Sequence, residues 1–174
     1  MDHADHTNLL RGAVERVGTV WADLGAGSGA FTLALADLLG PGGEIHAVDR
    51  DRRALRANAH AMSASFPEVA VLYREADFSL PLSLPPLDGI VMANSLHFQK
   101  DQSAVVRLVR GYLRPAGRLV VVEYNIERGN FAVPYPVPYA RWEILARDAG
   151  FEHTEIFARR PSRFFREIFS AASW

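Results

Sequence analysis

Hydrophobic positions in this chain fall into short β-rich runs that alternate with longer stretches in which apolar residues recur every third or fourth position. Glycine, proline or an acidic residue punctuates most of the switches. That alternation predicts strands and helices laid down in turn around an α/β sheet. Residues 19–23 (TVWAD) read as a strand that runs into Gly25, Gly27 and Gly29. Residues 30–39 then set Phe31, Leu35, Leu38 and Leu39 at helical spacing, with Gly40, Pro41 and Gly42 as the stop. Further strands are expected at 44–48 (EIHAV), closing at Asp49, at 69–73, closing at Asp77, and at 87–93 (LDGIVMA). An alanine-rich helix with basic residues on its open face fits 52–64. Another fits 101–112, with Val105, Leu108, Val109 and Tyr112 along one side; Pro115 and Gly117 halt it before a fully buried fifth strand at 118–122 (RLVVV).

The rest departs from simple alternation. Residues 80–86 (LPLSLPP) hold too much proline for a helix or a central strand and read as a loop over the sheet's edge. Residues 125–138, with Pro134, Pro136 and Pro138 around Tyr135, predict an ordered lid or wall. After a helix at 141–149 come two strand-like stretches, 151–159 and 164–171, separated by Pro161 and Ser162. The second stretch also fits a helical period, and a terminal antiparallel hairpin is the favoured reading. Residues 1–17 are taken as a short N-terminal helical segment, and 1–174 as a single domain.

Composition narrows the function classes. The chain is 49% hydrophobic and 22% charged, an ordinary globular mixture that argues against disorder. A formal charge of -1 gives no general attraction to phosphate backbones or anionic membranes, so nucleic acid is unsupported as a partner. With no cysteine, disulfides, thiolate nucleophiles and Cys-ligated zinc are excluded. His3, Asp5, His6 and Glu15 interrupt the first thirty residues, so neither a signal peptide nor a membrane span is expected, and a cytoplasmic protein is. Nothing sets the oligomeric state; a homo-oligomer is left open.

In an open parallel sheet, ligands bind beyond the carboxyl ends of the strands, where Asp23, Asp49, Asp77 and Asn94 are expected to share a crevice. Each also reads as a helix cap or turn residue. Gly25, Gly27 and Ala30 satisfy G-x-G-x-x-G/A, a pyrophosphate fingerprint that is weak alone. Asp23, directly before the turn, would repel a pyrophosphate and suits a cationic ammonium group. Asp49 is suited to accept hydrogen bonds from both hydroxyls of a ribose, as it also would in NAD enzymes. Asp77 followed by Phe78 offers an acceptor for an exocyclic amine beside an aromatic face. Together these residues describe a site for adenosine with an amino-acid tail.

Through VWADLGAGSGAFTLALA (20–36), IHAVDRD (45–51), READF (74–78), GIVMANSLHF (89–98) and LRPAGRLVVVEY (113–124), the chain resembles the class I S-adenosylmethionine-dependent methyltransferases over residues 17–171. The resemblance implies a three-layer αβα sandwich, the Rossmann-like methyltransferase fold, around a seven-stranded mostly parallel sheet with an antiparallel last strand. It implies S-adenosyl-L-methionine as cofactor and S-adenosyl-L-homocysteine as product. Asp23 would then hold the methionine amino group, with Leu24, Gly25, Ala26, Gly27, Ser28 and Gly29 against the methionine portion. Asp49 would hold the ribose, Arg50 would flank the adenine, and Ala76, Asp77 and Phe78 would hold the base. Asn94, Ser95 and Leu96 would line the floor near the sulfonium. The segment before residue 17 is shorter than the helical cover of many relatives, so a substrate lid is either missing or supplied by 125–138 or by another subunit.

A sulfonium is already an activated leaving group, so such an enzyme chiefly aligns acceptor, methyl and sulfur and keeps water out. Where the acceptor must lose a proton, His97 is the candidate base, its ordinary pKa of about 6.5 suiting the task; its bland alternative is a loop or capping residue. Tyr124, Tyr135, Tyr139 and Trp142 either wall an acceptor pocket or belong to the core. Arg159, Arg160, Arg163 and Arg166 read as a solvated face in preference to an RNA or acidic-partner site. His3 and His6 read as a solvated pair, and no metal site is expected. Asn94-Ser95-Leu96-His97 lacks the Asn/Asp-Pro-Pro-aromatic run of methyltransferases acting on nucleobase amines, which disfavours that chemistry. No H-E-x-x-H, P-loop or G-x-S-x-G motif occurs. The favoured reading is methyl transfer to a small-molecule acceptor by in-line displacement. Two alternatives stand beside it: a catalytically silent cofactor-binding subunit, and an NAD(P)-binding oxidoreductase, which Asp23 weakens.

Overall fold

Side-chain alternation along the central strands decides how the layers form. In the computed structural model, which describes residues 1–14, 19–162 and 164–174, the first strand, β1 (Val20–Leu24), turns Ala22 and Leu24 toward one core and Trp21 toward another. The strands β4 (Leu87–Ala93) and β5 (Leu113–Tyr124) split the same way. Ile90, Met92, Leu119 and Val121 pack on one face of the sheet, while Val91, Ala93, Val120 and Val122 pack on the other. Strands apolar on both faces must be covered on both, which yields the three-layer sandwich.

Helices α1 (His3–Leu10), α2 (Ala30–Leu39) and α3 (Arg52–Ser65) build one outer layer; α4 (Gln102–Arg110) and α5 (Tyr139–Asp148) build the other. The remaining strands are β2 (Glu44–Asp49), β3 (Ala70–Glu75), β6 (Thr154–Ser162) and β7 (Arg166–Ser173), and the sheet order is β3-β2-β1-β4-β5-β7-β6. The pairings from β3 to β5 are parallel; β7 enters antiparallel between β5 and β6, with Val122 opposite Ser170. This is the seven-stranded sheet with an antiparallel last strand that was expected, and residues 151–171 do form a hairpin. Residues 15–17 of the expected N-terminal segment, and Arg163, lie outside the described residues.

Aspartates start three of the helices. Asp51 accepts from the backbone N–H groups of Arg53 and Ala54, Asp101 from that of Ala104, and Asp2 from that of Asp5 in a reciprocal capping box. Asp101 is therefore a cap outside α4, and Tyr112, expected on its face, lies beyond its end.

One boundary differs substantially from the sequence reading. β5 begins at Leu113, five residues before Arg118, and contains Pro115 and Gly117. Its pairing slips between Leu87↔Leu113 and Gly89↔Arg118, and Ala116 sits at φ 62°. A bulge accommodates a proline that a regular central strand would reject. At Gly89, beside Trp21 in the β1–β4 ladder, a Cβ would stand 2.3 Å from the indole ring, so only glycine leaves room for it.

Candidate active site

The carboxyl ends of β1, β2 and β4 meet around the glycine turn. Gly25, Gly27 and Gly29 take φ of 85°, 51° and 101°, the left-handed region where glycine is strongly favoured. The N–H groups of Gly25 and Ala26 donate to the Val48 carbonyl at 2.8 and 3.1 Å, and that of Gly27 donates to Asp49 Oδ2 at 2.8 Å. Asp49 Oδ1 accepts the Asp51 N–H at 2.8 Å. Each Asp49 oxygen thus already carries one backbone donor. An ionised carboxylate retains acceptor sites beyond these two.

A cavity of about 290 Å³ opens here, lined among others by Gly25, Asp49, Arg50, Asp77, Phe78 and Asn94. Ala76 and Ser95 also line it. The exposed Asp77 receives both the N–H and the hydroxyl of Ser79 on its Oδ1, at 2.9 and 2.7 Å. The hydroxyl and then the N–H of Ser79 hold its carboxyl below the usual aspartate range. Ser95 donates its hydroxyl to the Leu24 carbonyl at 2.8 Å, and a Cβ on Gly25 would stand 2.5 Å from Ser95 Cβ.

The other expected contacts are arranged differently. Leu24 and Leu96 are fully buried in the core and are not among the residues that line the cavity. A leucine in this turn gains more by packing under β4 than by facing a polar cleft. Ala26 is buried and Gly29 lies against Asn58, whereas Ser28 faces solvent. Asp23 is only 1% exposed and is not among the lining residues; its Oδ2 accepts the Thr32 hydroxyl at 2.6 Å. Burial pushes its pKa up to about 7, the Thr32 bond opposes the rise and the Asp49 charge adds to it.

His97 sits in a short 3₁₀ turn, Leu96–Phe98, and is 2% exposed. Its Nδ1 lies 2.6 Å from Oε2 of Glu123, a fully buried carboxylate whose Oε1 accepts the backbone N–H groups of Leu96 and His97. Sequence reasoning missed Glu123 and Thr32. The signal for Glu123 was a lone acid closing the apolar run Val120-Val121-Val122; Thr32, inside an alanine- and leucine-rich helix, gave a weaker one.

Of the four aromatic candidates, Trp142 is wholly buried in the core, and the partly buried Tyr139 packs edge-on against Phe169 at its margin. Tyr124 is half-buried against Phe165, and Tyr135 is exposed. A second cavity of about 540 Å³ lies beside Tyr124, bounded also by Met1, Asp5, Arg160, Phe164 and Ile168. Two of the clustered arginines are matched within the chain, Arg159 with Glu167 and Arg160 with Asp5. His3 bonds Asp37 while His6 meets Phe31 edge-on, so the two side chains are directed to different partners. No described helix is long and apolar enough to cross a membrane.

Two observations test the fit of an adenosyl amino acid. Asn94, at φ 51°, carries a buried Oδ1 with no partner among the described residues, an acceptor awaiting a donor. At Gly27 a Cβ would meet nothing within 4 Å, so the turn has open space beside it. The site offers carboxylate and amide acceptors and the aromatic rings of Phe78 and Phe98, with Arg50 as the lining cation, matching ribose, adenine and ammonium better than a diphosphate.

Fold and sheet order are those of the class I S-adenosylmethionine-dependent methyltransferases. A methyltransferase-domain family matches residues 15–148, and the chain belongs to it. Acetylserotonin O-methyltransferase of Mus musculus is 34% identical over 141 residues, covering 78% of this chain and 36% of that protein. The demethylmenaquinone methyltransferase of Anoxybacillus flavithermus is 27% identical over 107 residues, covering 61% and 45%. A crystal structure of a SAM-dependent methyltransferase from Aquifex aeolicus superposes with a TM-score of 0.70 at 17% identity, covering 99% of this chain and 98% of that one. The chain thus spans between a third and a half of the length of these two curated relatives.

Proposed function

We propose that this chain binds S-adenosyl-L-methionine across the glycine turn and transfers its methyl group to a small organic acceptor. The observation that carries the reading is the convergence of Asp49, Asp77 and the unpartnered Asn94 on one cavity beside the turn. Asp49 would accept from the ribose hydroxyls, and Asp77 from the adenine amine beside Phe78, with Arg50 at the rim. Asn94 Oδ1 would take a donor from the amino-acid portion, while Asp23 balances the ammonium charge from beneath. The bound cofactor supplies an electrophilic methyl on a good leaving group.

What remains for the chain is alignment and, for an acidic acceptor, removal of one proton. His97 supports that second role through its tautomer: with Nδ1–H donated to Glu123, the Nε2 lone pair is left for a proton, and Nε2 has no partner among the described residues. Glu123 would stabilise the imidazolium that forms. The cavity beside Tyr124 is the candidate acceptor space, and residues 125–138 its candidate wall. Relatives named for acetylserotonin and demethylmenaquinone support a small organic acceptor over a macromolecule.

Calorimetry with S-adenosyl-L-homocysteine and with NADH tests the reading. Saturable binding of the former alone is expected. Binding of NADH in its place would return the dinucleotide interpretation of the glycine turn. Transfer of a labelled methyl group to a small-molecule extract separates an enzyme from a silent binding subunit.

A further inference from the structure

Beneath the glycine turn a buried polar chain crosses from one helix to the next. The Thr32 hydroxyl of α2 is 2.6 Å from Asp23 Oδ2, Asn58 Nδ2 of α3 is 2.8 Å from Thr32 Oγ1, and the Tyr73 hydroxyl of β3 is 3.4 Å from Asn58 Oδ1. Thr32 and Asn58 are both 0% exposed, an uncommon place for an asparagine on a helix. Their chemistry fixes the direction. An amide nitrogen can only donate, so the Thr32 oxygen must accept from Asn58, and its single proton is left for Asp23.

We propose that Asn58, acting through the Thr32 hydroxyl, is a positioning residue for cofactor binding: the relay fixes the Asp23 carboxylate beneath the glycine turn, where its charge balances that of the ammonium group. The proposal rests on the reading of Asp23 given above. The Asn58 side chain also packs against the glycine turn. A Cβ on Gly29 would stand 2.8 Å from both Asn58 Cγ and Oδ1, so the glycine turn is seated directly on the carboxamide. One side chain therefore packs under the glycine turn and bonds the hydroxyl that meets the carboxylate beneath it.

The charged surroundings of Asp23 give the relay its task. Asp49 approaches from β2 and disfavours ionisation, as burial does, and Thr32 is what opposes them. The β4 end contributes the neutral Asn94, α3 the neutral Asn58, and β3 the Tyr73 hydroxyl; on α1, His6 is turned edge-on to Phe31. No cation among the described residues is paired with Asp23. Without the relay, the carboxylate would keep its proton to higher pH.

The test is the affinity for S-adenosyl-L-homocysteine by calorimetry between about pH 5.5 and 8.5. The nearly isosteric Thr32→Val is expected to displace the binding curve upward by about one pH unit and to weaken binding at pH 7 about fivefold. Thr32→Ser should restore it. Asn58→Ala should act in the same direction, and the double variant should be no worse than Thr32→Val, since both changes break one line. A Thr32→Val curve that overlays the parent, or strictly additive losses in the double variant, overturns the proposal. Carbon-detected NMR of the Asp23 carboxyl in the cofactor-free protein gives a second readout. Its midpoint should rise in Thr32→Val, and an unmoved midpoint is equally fatal. If the parent binds no S-adenosyl-L-homocysteine at any pH, the cofactor reading falls, while the carboxyl titration still decides the relay.

Discussion

His97 Nδ1 and Glu123 Oε2 stand 2.6 Å apart with both side chains closed off from solvent. Glu123 also takes the N–H groups of Leu96 and His97, so one carboxylate at the end of β5 satisfies three donors from the turn after β4. Replacing Glu123 by Leu leaves all three unpaired and should cost about 3–5 kcal/mol of folding stability. Glu123→Gln keeps an acceptor for the backbone and should cost about 1–2 kcal/mol. Urea unfolding measures both. Equal costs for the two variants would show that packing, and not the polar contacts, makes the site.

The buried carboxyl of Asp23 sets a pH dependence with a definite sign. Its pKa rises from 3.8 to about 7 on folding, so between those values the folded chain keeps a proton that the unfolded chain releases. Stability from this group is therefore full below about pH 4 and is lost as pH climbs to about 7. Asp23→Asn does not titrate. It should gain on the parent in melting temperature across that window, then run parallel above it, while binding S-adenosyl-L-homocysteine more weakly. A constant difference between the two melting curves from pH 4 to 8 would contradict this.

Asp49 acts on both the chain and its ligand. Asp49→Ala removes the acceptor of the Gly27 and Asp51 N–H groups together with the proposed ribose contact. A loss of about 2–3 kcal/mol in S-adenosyl-L-homocysteine binding is expected, roughly 30- to 150-fold, for charge-assisted bonds. An unchanged dissociation constant would move the ribose elsewhere.

Two glycines of one turn should respond unequally to the same change. Gly25→Ala drives a Cβ to within 2.5 Å of Ser95 Cβ, whereas Gly27→Ala meets nothing within 4 Å. Both carry the cost of a positive φ, about 1 kcal/mol or somewhat more. Gly25→Ala adds overpacking of about 1–3 kcal/mol. The urea midpoints of the two variants, measured side by side, should separate by that second amount.

Much of this architecture was readable from residue order. Alternation and punctuation located β1, β2, β3, β4 and β7 to within two residues at each end, helped by the apolar runs in which buried parallel strands are written, whereas β6 begins and ends three residues later than expected. β5 was cut short because Pro115 and Gly117 signal an end, and only the partner strand reveals that a bulge absorbs them. At the site, strand-end position identified Asp49, Asp77 and Asn94 as neighbours, since topology alone brings them together. It did not reveal that Asp23 lies beneath the cavity. Strand parity turns its side chain toward α2, and that is visible only once the Trp21 face is known to be the α1–α2 side. Glu123 and Asn58 were overlooked for a related reason: their partners lie 26 residues away at His97 and Thr32.

The seat of β7 bears on how the molecule is made. This strand follows all the others in the chain, yet it is inserted between β5 and β6. Until it has been synthesised, β5 offers a bare edge and β6 has no neighbour to bond, so a growing polypeptide emerging from the ribosome exposes two unsatisfied ladders. Closure of the sheet is a late, long-range event, and a shortened product lacking residues 166–173 should be captured by chaperones or self-associate instead of persisting as a smaller working domain.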